Sequence, residues 1–485
     1  MEIHCSPESG QDGMTHSWND EFDVIVVGSG FAGLTAAIEA HHAGASVVVL
    51  EKMNAVGGNS VISDGGIAAA GTDLQAKHGI SDTPDDLYAD MLKAGLGINY
   101  PELVRIVVDQ ATEAFEWSRQ YLGVEYLDRV DIFGGHSVPR CYTAKNVTGA
   151  TIIKSMVKKL EELEIEVRLQ TCLNGIVRDG SGRVCGVSVR NGLPGQAVEQ
   201  GQVHLIKARR GVILATGGFS SDIPFRSAQD PRLTGIIHST NKPFATAETL
   251  IAALKIGAAP VQLSRIQLGP WASPDEKGYG VGPRFSEYIV FQYGIIVDPA
   301  TGRRFINELA DRRSLADQLL AIGHPCIGLA DAAAVEASGW SIEKCLQRGV
   351  VHAFDSLAAA ATFYQIPGIQ LAATVDRFNA GVKAGVDPDF AKPLLASAGP
   401  IETPPYYGIR LWPKVHYTMG GLRIDTQGAV IDLEGRPIQG LFAAGEVTGG
   451  IHGASRLGSC SITECLVFGR ITGRQAASQK PGHVQ

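Results

Sequence analysis

Gly28-Ser29-Gly30-Phe31-Ala32-Gly33 decides how this chain is read. It follows the apolar run Phe22 to Val27 and opens an Ala-rich helical pattern through about His41, after which Ser46 to Leu50 reads as a second buried strand. Strand, glycine turn, helix and strand make a βαβ unit. The glycines let the backbone close on a pyrophosphate while the helix N-terminus faces its charge. Glu51, at the end of the second strand, stands where an acid accepts from a ribose hydroxyl. A GxGxxG run alone also marks plain structural turns. Its place between strand and helix, with Glu51 downstream, favours a bound dinucleotide, and the expected class is α/β with a Rossmann-like nucleotide domain.

Working outward, Lys52 and the glycine-rich Gly57-Gly58-Asn59-Ser60 come soon after Glu51, followed by Gly65-Gly66. A buried strand through Leu214 opens onto Ala215-Thr216-Gly217, and another, Leu441 to Ala444, opens onto Gly445-Glu446. Arg456, Ser461 and Ile462 close the set of expected cofactor contacts. A permanently held FAD needs several such close backbone approaches, whereas a dissociable nicotinamide needs fewer, so FAD is the expected cofactor.

The chain has 485 residues, enough for two domains. The expected division is a disordered tail (1–20), a first nucleotide-binding part (21–263), an inserted α+β capping domain (264–415) and a second nucleotide-binding part (416–480), so the nucleotide domain is discontinuous. Within the insert, RRFINELADRRSLADQLL (303–320) reads as the start of a helical region. The net charge of −8 is spread without a Lys/Arg run, which argues against nucleic acid as partner. Eight cysteines include no CxxC pair, so no iron–sulfur, haem-attachment or other metal site is signalled. Scattered thiols, a polar N-terminus and the lack of a long apolar run lead to the expectation of a cytoplasmic protein with no membrane span.

Taken together the motifs resemble the soluble fumarate reductase flavoproteins, within the succinate dehydrogenase and fumarate reductase flavoprotein superfamily. The resemblance runs from about residue 21 to 476, through GSGFAGL (28–34), LEK (50–52), GGNS (57–60), GGHSVPR (134–140), ILATGGF (213–219), RRFINELADRR (303–313), HYTMGG (416–421), GLFAAGEVTGGIHGASRLGS (440–459) and VFGR (467–470). It implies an FAD-dependent oxidoreductase acting on a CH–CH bond, in which flavin N5 delivers hydride to an alkene activated by a bound carboxylate. Arg312 then matches the proton donor, Arg456 and His416 match the pair that grips the carboxylate, and Glu287 matches a relay glutamate. A guanidinium suits such a clamp because its planar fork pairs bidentately with a carboxylate. Glu287 as an ordinary exposed carboxylate stays open.

Three departures from the family pattern set further expectations. The relay's second arginine falls at Val290, leaving Tyr288 and Tyr293 as nearby candidates. The histidine for fumarate's far carboxylate falls at Gly269, which, with Trp271 beside it, is expected to leave room for a larger or less polar group; Ser286 could still bond a polar tail. His136 and Arg140 either line the same pocket or stabilise their loop. Asn59 stands where membrane-bound relatives attach FAD through histidine, so non-covalent FAD is expected, with a separate electron donor or acceptor. The expected function is reduction of an α,β-unsaturated carboxylate other than fumarate. Two rivals are a 3-ketosteroid dehydrogenase of the same superfamily and a partner-dependent flavin electron-transfer subunit.

Overall fold

The computed structural model describes residues 17–192 and 202–481. The expected N-terminal tail lies largely outside them, and it ends earlier than expected. Asn19 N already donates to Leu205 O at 2.9 Å, and strand β1 spans Asp20–Val27.

β1 is the centre of the larger sheet. Val24, Ile25 and Val26 are wholly buried, as a parallel strand covered on both faces must be. It pairs in parallel with β2 (Val47–Leu50) on one side and with the strand Val203–Leu214 on the other. The sheet continues through Glu166–Arg168 beyond β2, and through Pro437–Ala443 and Ala429–Ile431 beyond Val203–Leu214. Both ends of the chain thus share one sheet. An antiparallel pair, Thr171–Arg178 and Val184–Asn191, hangs from the long strand.

Helix α1 (Phe31–His42) follows the glycine turn. A side chain at Gly33 would put its Cβ 2.0 Å from Gly28 O, so the turn closes only with glycine there. The C-terminal helix Cys460–Ser478 lies against α1. Gly469 and Gly473 face it, and a Cβ on either would come within 2.8 Å and 2.4 Å of Ala32 O and Ala36 O. Arg470 and Arg474 then both reach Glu39.

The middle of the chain forms a second, five-stranded antiparallel sheet in the order Arg303–Arg304, Ile295–Asp298, Cys326–Asp331, Tyr406–Leu411, Val351–Phe354. Its apolar face meets Leu371, Val375 and Phe378 of the helix Gly368–Ala384. The stretch expected to be helical from Arg303 begins instead as an edge strand. The helix starts only at Arg312, where the Asp311 carboxylate accepts from Arg313 N and Ser314 N.

Two local features place the site. Ile266–Gly269 pairs antiparallel with Lys414–Thr418, which sets Trp271 beside His416. The helical segment from Gly282 to Tyr293 contains a π turn over Ser286–Val290. Such insertions re-aim successive side chains and often mark functional positions. No helix among the described residues is long and apolar enough to cross a membrane.

Candidate active site

Two clefts meet at the C-terminal end of the parallel strands, where open α/β sheets bind ligands. The first, of about 950 Å³, runs along the glycine turn. Gly28, Gly30, Phe31 and Ala32 form its floor, and Glu51 with Lys52 its end wall. Gly58, Asn59 and Ser60 form one side, and Ala215, Thr216 and Gly217 the other. Gly445 and Glu446 complete it. The second, of about 770 Å³, shares Phe31, Asn59, Ser60, Glu446 and Cys465 with the first, so the two are continuous.

The first cleft fits an FAD. Gly28 has φ +106°, and a Cβ on it would lie 2.3 Å from Ala215 O, so backbone alone faces the space. Glu51 is buried and holds the turn through Ser29 N (3.2 Å) and Met53 N (2.8 Å). Lys52 Nζ reaches Thr246 Oγ1 at 3.0 Å and Glu248 at 2.9 Å. Ser60 Oγ accepts from Phe31 N at 3.1 Å, and Asn59 Oδ1 accepts from Lys242 N at 2.9 Å. Three expected contacts do not line either cleft: Gly33 serves helix–strand closure, Gly57 N donates to Ser29 Oγ at 2.9 Å, and Gly65 packs on Thr148. Gly66, Arg456, Ser461 and Ile462 line the second cleft instead.

Arg312, His416 and Arg456 all reach that second cleft, with Trp271, Tyr279 and Asp64. Arg456 is 3 % exposed; its Nη1 donates to Leu457 O at 2.7 Å, while its Nε has no partner among the described residues. Arg312 pairs with Glu287 through its Nη2, and its Nη1 has no partner among the described residues. A buried Arg456 without a carboxylate of its own, beside an Arg312 that Glu287 satisfies only in part, calls for an anion in this cavity, because unsatisfied buried charge is costly. Burial and the neighbouring Arg312 both depress the Arg456 pKa. Burial would depress Arg312 too, but the Glu287 carboxylate outweighs it and raises its pKa. His416 is driven well below the usual imidazole range by burial and then by both arginines, so it is neutral. Its Nδ1 lies 2.8 Å from Thr240 Oγ1.

Glu287 is not the exposed carboxylate left open by its sequence. It is 6 % exposed and stands behind Arg312, with its pKa raised chiefly by burial. Glu446, at the junction of the clefts, accepts from Thr418 N at 2.9 Å, and burial pushes its pKa up to about 7.

Three sequence expectations are corrected here. Gly269 does not leave room for a larger group: a Cβ there would sit 2.9 Å from the Trp271 ring, so the indole itself fills that space. Trp271 then packs edge-on to His416 with ring centroids 4.8 Å apart. Ser286 does not face the cavity; its Oγ donates to Trp271 O at 2.6 Å and so fixes the indole's backbone. His136 is also outside the cavity. Its Nε2 meets Gly458 O at 3.0 Å and its Nδ1 meets Arg140 at 3.2 Å, and Arg140 is wholly buried against Asp82 and Asp90. Burial, with Arg140 beside it, lowers the His136 pKa to about 4. The loop-stabilising alternative is the one this placement favours.

Sequence reasoning missed Asp64, Thr240 and Tyr279. Asp64 sits in a Gly/Ala/Ser stretch without periodicity, and the other two become neighbours only through chain crossings. An acid inside Ser63-Asp64-Gly65-Gly66 was the one available signal.

Residues 23–462 match a family described as FAD binding domain. The chain belongs to that family. It is 42 % identical over 464 residues to the acrylate reductase flavoprotein subunit of Shewanella woodyi, covering 94 % of this chain and 91 % of that protein. A solved flavocytochrome c3 fumarate reductase in its open conformation superposes with a TM-score of 0.75 at 31 % identity, covering 95 % of this chain and 79 % of that one. A 3-ketosteroid-Δ4-(5α)-dehydrogenase from Rhodococcus jostii RHA1 has a TM-score of 0.76 at 24 % identity, covering 96 % and 99 %, which is a likeness of fold. This member of the family is an FAD-dependent oxidoreductase acting on carbon–carbon bonds.

Proposed function

We propose that the chain reduces the double bond of a small α,β-unsaturated monocarboxylate. One observation carries the reading: Arg456 and Arg312, each with a buried N–H that has no partner among the described residues, line one cavity with His416 and with Trp271, whose indole packs against both His416 and Arg312. A single carboxylate suits Arg456 and His416, and the Trp271 indole, 4.8 Å from the His416 ring, narrows the space beside them. The similarity to an acrylate reductase flavoprotein subunit supports a substrate of this size. Bound FAD would supply the hydride. Non-covalent attachment follows from Asn59, an amide rather than an imidazole, facing both clefts, and the relative's being named a subunit supports a separate electron donor.

Each residue has a part in this reading. Arg456 binds the carboxylate and stabilises the charge that grows on it as the β-carbon accepts hydride. His416, with Nδ1 accepting from the Thr240 hydroxyl, offers a neutral Nε2–H to the same carboxylate. Arg312 gives its proton to the α-carbon and recovers it from Glu287. The expected cap, residues 264–415, carries Trp271, Glu287 and Arg312, so closing it would exclude water and align the alkene. A 3-ketosteroid would leave the Arg456 guanidinium without an anion, and an electron-transfer subunit has no use for the Arg312–Glu287 pair.

Ligand binding tests the reading without turnover. Propionate, the saturated product of acrylate, should perturb the oxidised flavin spectrum saturably, more tightly than succinate, and Arg456→Met should weaken it about 100-fold. Tighter binding of succinate than propionate would overturn the monocarboxylate assignment.

A further inference from the structure

Val290 stands where the resemblance puts a relay arginine, and it is wholly buried among apolar side chains. The π turn around it presents two successive residues to two different partners. Glu287 meets Arg312, while Tyr288 OH donates to Asp64 Oδ2 at 2.7 Å. Tyr288 is 2 % exposed and is wedged between Phe133 and Trp340, with ring centroids 5.3 and 4.6 Å away. Its hydroxyl is therefore held in place. Asp64 Oδ1 accepts from Gly66 N at 3.2 Å, and the residue is half-buried in the wall of the cavity that holds Arg312.

We propose that Asp64, held by Tyr288, is the proton entry of this site and feeds Glu287, and through it Arg312, in place of the missing arginine. The proposal rests on the enoate-reduction reading. In each turnover the alkene π bond breaks, the β-carbon gains hydride from the reduced cofactor, and the α-carbon gains one proton from Arg312. Glu287 returns a proton to Arg312, Asp64 returns one to Glu287, and solvent reprotonates Asp64. The chain ends as it began. Asp64 is incompletely buried in the cavity wall and, unlike Glu446 there, is held by Tyr288, whereas Glu287 is shut in behind Arg312, so a proton from solvent meets Asp64 before Glu287. Tyr288 is a positioning residue.

The titratable and charged groups that interact with Asp64 through their charges are Glu287, Tyr288 and Tyr279 from the 279–288 segment, Arg312 and Asp131, and of these Tyr288 bonds it directly. The charge of Asp64 adds to burial in raising the Glu287 pKa. Removing it lowers that pKa, so the alkaline fall in rate, which follows loss of the Glu287 proton, moves to lower pH.

The test uses anaerobically reduced holoenzyme and acrylate as oxidant. Asp64→Asn should slow reoxidation at neutral pH about 10- to 100-fold, enlarge the solvent deuterium isotope effect and shift the alkaline limb to lower pH, with propionate affinity changed less than about threefold. Asp64→Glu should restore most of the rate. Tyr288→Phe, which keeps the ring, should slow reoxidation several-fold and serves if Asp64→Asn loses its flavin. Wild-type rate and pH profile in both Asp64→Asn and Tyr288→Phe, while Glu287→Gln is slow, would overturn the proton entry and leave the enoate reading standing. Failure of the wild type with every enoate would overturn both.

Discussion

Arg456 meets its buried position without a carboxylate of its own, and Arg312 has one partner for a guanidinium that can serve two. Replacing Arg456 by methionine should therefore cost about 3 kcal/mol in kcat/KM for an enoate, read from steady-state kinetics, while flavin content stays full. Arg312→Ala should abolish turnover with flavin retained; undiminished turnover would remove Arg312 as acid. Glu446 offers a pH test. Its folded pKa, about 7, lies above the ordinary value of 4.5, so its contribution to stability is fully present below about pH 4.5 and lost as pH rises through 7. In flavin-free protein, Glu446→Gln should remove up to roughly 3 kcal/mol of the stability lost between pH 5 and 8, measured by urea unfolding. Arg312, Arg456 and His416 stood out in sequence because each sits inside a motif, and they line one cavity, whereas Glu287 lies in no motif and its burial was not legible. The empty space inferred from Gly269 was misread, because a glycine says what is absent and not which neighbour fills the gap.

At the scale of elements, the glycine turn after β1 and the strand Ile266–Gly269 make opposite demands on glycine. At Gly28 the backbone needs φ +106° and a Cβ would strike Ala215 O at 2.3 Å, so Gly28→Ala should yield folded protein without flavin, checked by absorbance of the purified chain. At Gly269 the obstacle is the Trp271 ring at 2.9 Å. Trp271→Ala should open the cavity and shift the preference from acrylate toward cinnamate by at least about tenfold, measured as the ratio of reoxidation rates. The βαβ unit was legible because apolar runs, glycine spacing and helical period agree. The edge strand Arg303–Arg304 was not, since two charged residues carry no strand period and the antiparallel partner at Val297 and Asp298 alone makes them one. The π turn over Ser286–Val290 leaves no sequence signal either, yet it aims Glu287 and Tyr288 at different partners.

Across the whole molecule, buried ion networks fix the parts that carry the site. Arg140 joins Asp82 and Asp90 and is linked through His136 to Gly458, and Arg304 joins Asp387 and Glu308, four residues before Arg312. Arg140→Ala would strand two buried carboxylates and should cost about 3–5 kcal/mol in denaturant unfolding. Such networks link residues remote in sequence and are invisible to period or motif. The discontinuity of the nucleotide-binding sheet was legible, because the glycine-rich style of the start returns over residues 416–476. The central claim, a single-carboxylate clamp on a flavin site narrowed by Trp271, is tested most directly by reducing the holoenzyme anaerobically and following flavin reoxidation by acrylate, fumarate, urocanate, cinnamate and a 3-ketosteroid enone. The account predicts rapid reoxidation by acrylate and slow or none by the dicarboxylate, the bulky acids and the steroid. Rapid reoxidation by the steroid or by fumarate, with acrylate inert, would contradict it.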